Sequence, residues 1–160
     1  MYKRQVLPCS FRKLDDKSGY ISPKRDVKSR MDLRIFWGSK CGILCSVVEY
    51  DGILDAEQAG KIIAGKEKKV LWKGSVVFTE DAARVFAEAG MELTGVESLT
   101  VGPEDSPAGV HKILLGAGMA ILEGLYLCDV ECDEYFLCAQ PLKLGGCDGA
   151  PCRAVLIEGI

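Results

Sequence analysis

The chain carries a single histidine, His111, in 160 residues. Any metal or catalytic centre that needs a second imidazole is therefore out of its reach. Long apolar runs are also missing: none approaches the roughly 18 residues of a spanning helix, and no signal peptide is visible. No membrane partner is expected, and the cytoplasm is the expected location. The eight cysteines (Cys9, Cys41, Cys45, Cys128, Cys132, Cys138, Cys147 and Cys152) contain no C-x-x-C pair. Without short knuckles a four-thiolate zinc site is disfavoured, and the thiols read as small hydrophobes in a reducing compartment. There is no G-x-S-x-G elbow, and the glycines at 145, 146 and 149 lack a Walker Lys-Ser/Thr. Net charge is −3, which argues against nucleic acid as a partner.

What is present fits one globular domain. The apolar fraction is 48% and the charged fraction 27%, and a chain of this length buries about 70% of its unfolded surface. Residues 1–40 are rich in Lys and Arg and show no sustained period of 2 or 3.6. They read as an irregular segment, either a flexible basic arm that binds polyanions or non-native or damaged sequence, with residues 1–5 matching the translation of a transposon end and read as a sequencing scar. Residues 41–160 form the regular part.

Strands are expected over 44–50, 69–72, 76–78, 93–97 and 119–122. Asp55 with Gln58 resembles a capping box opening a helix over 56–64. Thr79 can cap a second helix with Ala82, Val85, Phe86 and Ala89 inward, and Gly90 can end it. Ser106 followed by Pro107 opens a third helix over 107–117, with Val110, Ile113, Leu114 and Ala117 inward. This alternation implies parallel central strands, and residues 135–139 and 153–157 read as an antiparallel pair. The fold class is α/β with a mixed sheet.

Glu97 and Glu123 fall at the expected carboxyl ends of neighbouring strands, the edge where open α/β sheets bind ligands. His111, on the helix between those strands, can reach the same edge. A carboxylate closing an apolar run costs free energy unless it is compensated, and a metal shared with an imidazole would do so. The bland alternative is a solvated acid and a hydrogen-bonded histidine. Ser98 is one of the nearest hydroxyls.

Five short pieces carry a resemblance: Thr79-Glu80-Asp81-Ala82-Ala83; Gly95-Val96-Glu97-Ser98; Val110-His111-Lys112-Ile113-Leu114-Leu115; Ile121-Leu122-Glu123-Gly124-Leu125; and residues 139–155, which include Gly145-Gly146-Cys147-Asp148-Gly149. In order and spacing, residues 50–158 resemble the cyclase family of metal-dependent hydrolases, which includes the bacterial kynurenine formamidases (arylformamidases). The resemblance implies a swivelling β/β/α fold, here incomplete at the N-terminus, a homo-oligomer, and a divalent metal, zinc or manganese. It implies that His111 and Glu123 are metal ligands; Glu97, at the same strand edge, and Ser98 beside it are candidates to line the site. The implied substrate is a small-molecule amide such as N-formylkynurenine, attacked by metal-activated water. Isatin is an alternative substrate, and a non-catalytic binding or scaffold protein an alternative role.

One departure stands against the resemblance. The family's H-x-G-T-H-x-D-x-P-x-H motif, which holds the other ligands and the general base, is absent. Pro8-Cys9-Ser10-Phe11 resembles the tail of that motif, with Ser10 in the place of a His. The chain alone is therefore expected to hold metal weakly or not at all, to be inactive, and to leave a sheet edge open.

Overall fold

A computed structural model describes residues 3–12, 43–65, 67–142, 144, 147 and 149–158. Four strands, β2 (Ile43–Glu49), β4 (Lys69–Lys73), β6 (Leu93–Val96) and β7 (Ala120–Glu123), run parallel. Their registers set Val48 against Trp72, Trp72 against Val96, and Gly95 against Leu122. Every residue of β6 and β7 is buried, as parallel strands covered on both faces require. β8 (Glu134–Pro141) and β9 (Gly149–Ile157) pair antiparallel, and β8 also pairs antiparallel with β2. The mixed α/β class read from the sequence holds, with the sheet curled further than alternation alone implies.

Closure comes from β1 (Lys3–Arg12), which pairs antiparallel with both β7 and β9 and completes a barrel in the order β1-β7-β6-β4-β2-β8-β9. This corrects two expectations. The segment 3–12 is a strand rather than irregular chain, and the edges of β7 and β9 are paired rather than open. The register of β1 on β9 shifts between Val6 and Cys9. A bulge there, where Pro8 cannot donate to a ladder, resets the period of two and hides the strand from a pattern search. Residues 13–40, the rest of the segment read as irregular, lie outside the described residues.

A second, two-stranded sheet joins β3 (Gly52–Leu54) to β5 (Val76–Phe78) in parallel. Three helices follow the expected caps. In α1 (Ala56–Ile63) the Asp55 carboxylate accepts from Gln58 N at 3.0 Å and the Gln58 side chain accepts from Asp55 N at 2.9 Å, a reciprocal cap. Thr79 Oγ1 accepts from Ala82 N at the start of α2 (Glu80–Glu88), and Gly90 follows that helix at φ +67°. In α3 (Pro107–Gly116) proline opens the helix, but the Ser106 side chain makes no cap bond.

The face α3 buries is rotated from the expected one. Val110, His111, Leu114 and Leu115 are buried, Ile113 is half-buried and Ala117 is exposed. Positions 110, 111, 114 and 115 lie on one stripe of a 3.6-residue helix, so the imidazole is carried inward with the leucines.

Two cores result. One fills the barrel with Val47, Leu71, Leu93, Leu122, Leu137 and Leu156. Gly95 leaves room for neighbouring leucines there, since a Cβ would stand 2.5 Å from Leu71 Cδ2 and 2.8 Å from Leu125 Cδ1 and both would have to shift. The other lies between the sheet and the helices around Trp72, whose ring meets Phe78 at 5.6 Å and Phe86 at 6.0 Å between centroids. Each fully buried aromatic of this kind contributes about 1.5–3 kcal/mol. No helix among the described residues is long and apolar enough to cross a membrane.

Candidate functional site

Strand alternation decides which way the acids point. Along β7, Ala120 and Leu122 face the barrel core and Ile121 faces the helices. Glu123, next in the alternation, turns to the helix side. There it meets His111, in the second turn of α3, with Nε2 2.8 Å from Glu123 Oε1. Val101 N donates to the same oxygen at 3.1 Å. Glu123 and His111 side chains are 3% and 8% exposed, so the pair is sealed beneath the loop that follows β6. A carboxylate buried this deeply needs such donors, because an unpaired one costs several kcal/mol. No buried side-chain polar atom among the described residues lacks a hydrogen-bond partner.

Glu97 does not join the pair. One of its oxygens accepts from Gly74 N at 2.7 Å, and the other from Leu127 N at 2.5 Å, with Cys128 Sγ at 3.9 Å. The carboxylate ties the β4–β5 turn to the loop after β7. Gly74 sits at φ +104°, and a Cβ there would meet Tyr50 O at 2.6 Å, so a glycine's freedom is needed to present that N–H. Ser98 Oγ donates to Val76 O at 3.1 Å, while Ser98 O accepts from Gly124 N at 2.9 Å. The expected convergence of three polar side chains therefore resolves into one buried pair and a separate loop tie. The Val101 contact could not be read from the sequence, because a backbone donor leaves no residue-type signal.

The geometry also gives Ser10 a place. In the β1–β7 register it is the residue directly opposite Glu123. The residue expected from the resemblance to stand in the place of a His is thus Glu123's neighbour across the sheet.

Known proteins resemble the chain in sequence and in fold. A kynurenine formamidase from Salinibacter ruber is 39% identical over 116 residues, covering 68% of this chain and 54% of that protein. The chain belongs to the cyclase family. No family model matches this cyclase-family chain, which spans about half the length of the curated relatives it matches. A solved structure described as a potential metal-dependent hydrolase with cyclase activity superposes with a TM-score of 0.72 at 24% identity, covering 92% of this chain and 76% of that one. Isatin hydrolase A from Labrenzia aggregata superposes at 0.64 with 17% identity, covering 94% and 73%. At those identities the two structures establish the fold alone.

The divalent metal implied by the family can be tested against the donors. Two ligand atoms, each about 2.0–2.2 Å from one tetrahedral zinc, stand about 3.3–3.6 Å apart. The 2.8 Å separation of His111 Nε2 and Glu123 Oε1 is shorter, that of a direct hydrogen bond. A catalytic zinc also takes three protein donors and keeps a position for water. Among the described residues no group of three or more His, Cys, Asp or Glu side chains is gathered for a metal. The described donors do not fit a catalytic metal centre.

Proposed function

We propose that this chain carries the hydrolase fold of the arylformamidase branch of the cyclase family, and that His111 and Glu123 stand where the family holds two of its metal ligands. The whole protein's reaction, on this reading, is hydrolysis of a small aryl formamide such as N-formylkynurenine, giving formate and the free amine. The chain by itself is silent in that reaction. One observation carries the reading: the only imidazole in the sequence lies 2.8 Å from the acid that ends β7, within a chain 39% identical to a kynurenine formamidase over 116 residues. The incomplete donor set among the described residues supports the silence.

The test is a hydrolysis assay of the purified chain on N-formylkynurenine, with zinc or manganese supplied. No release of formate above the buffer rate is expected. Turnover that is lost in His111→Ala would overturn the silence and make this chain an enzyme in its own right.

A further inference from the structure

We infer that in this chain the His111–Glu123 pair is a metal-independent clamp that fastens three segments to one buried oxygen. It rests on the proposed placement of the pair at the family's metal position, and states what the pair does there instead. Glu123 Oε1 ends β7, His111 Nε2 comes from α3, and Val101 N comes from the loop after β6. Those contacts join the last parallel strand, the helix packed on it, and the loop over both.

Valence and burial support the assignment. A carboxylate oxygen offers two lone pairs, and Oε1 already accepts at 2.8 Å and 3.1 Å. With the imidazole proton on Nε2, that nitrogen has no lone pair for a metal. An incoming cation has to break the His111–Glu123 contact, and among the described residues it gains only two protein donors in return, fewer than a catalytic ion takes. The pair is also closed to solvent, with side-chain exposures of 8% and 3%. A clamp needs nothing from outside, so burial favours it, because charge-assisted hydrogen bonds strengthen as water is excluded.

The experiment is thermal unfolding of the full chain alone, with EDTA, and with a tenfold excess of manganese. Manganese is the probe because the eight cysteines favour zinc as soft thiolate ligands and favour manganese far less. The clamp requires the melting temperature to move by less than about 1 °C in all three conditions. It also requires Glu123→Gln, which keeps an acceptor oxygen, to melt above Glu123→Ala. A manganese-dependent rise that Glu123→Gln abolishes would show the pair to be a metal site. Glu123→Gln melting no higher than Glu123→Ala would show that the acceptor is not what matters. If Glu123→Ala fails to fold, the manganese comparison of wild type with Glu123→Gln decides. The two proposals fail separately: an inactive chain that binds manganese through Glu123 refutes the clamp alone, and hydrolysis without added metal refutes the silence alone.

Discussion

Trp72 donates its indole N–H to the Thr94 hydroxyl at 2.8 Å, and both residues are fully buried. The bond crosses from β4 to β6 on the helix side of the sheet. It lets a polar ring edge sit in an otherwise apolar core, since a buried Trp needs a partner for its N–H.

Thr94→Val keeps the shape and removes the acceptor. The stranded indole N–H is expected to cost about 1–3 kcal/mol, which at this chain length lowers the melting temperature by roughly 2–4 °C per kcal/mol. Denaturant unfolding of Thr94→Val, Trp72→Phe and the double variant measures the coupling. A double variant no less stable than the additive sum predicts is the expected sign, because removing both partners leaves nothing unsatisfied.

Glu97→Gln tests the loop tie. Each carboxylate oxygen accepts a backbone N–H, from Gly74 and from Leu127. An amide has one acceptor and sets an NH2 against the other donor. A loss of about 2 kcal/mol is expected, the scale of a hydrogen bond to a charged group. Amide hydrogen exchange at Gly74 and Leu127 is expected to quicken, with little change at the ends of β8. Unchanged exchange at both amides would remove this role from Glu97.

Burial pushes the Cys45 thiol up to about 12, with the nearby Lys69 charge pulling the other way. The unfolded thiol ionises near 8.5. Below that value Cys45 contributes its full stability. As pH rises from about 8.5 towards 12, the unfolded state releases a proton that the folded state keeps, so stability falls by up to about 1.4 kcal/mol per pH unit. Cys45→Ala is expected to flatten that decline in denaturant melts taken from about pH 8 to 11. Near pH 8 a thiol reagent is expected to label the exposed Cys128, Cys132 and Cys147 first and the buried Cys45 only on unfolding.

Much of the local structure was legible. The Asp55/Gln58 capping box, the Thr79 cap and the turn at Gly90 all formed where their residues stand, because each depends on contacts within a few residues. The parallel order of β2, β4, β6 and β7 followed from strands separated by helices. The three-residue β3 was too short to show a period, and the bulge after Val6 erased the period of β1.

The site divides along the same line. By itself the sequence determined that any imidazole chemistry must involve His111, that Glu123 closes an apolar strand, and that the two lie on successive elements of one unit. Only the tertiary structure decided that Glu123 faces α3 while Glu97 binds two other loops, that Val101 N shares the acceptor oxygen, and that β1 sets Ser10 across from Glu123. Which residues can form a helix or strand is settled by neighbours in the chain; which face of a strand meets which helix, and which edge a distant strand closes, depends on contacts between residues far apart in sequence.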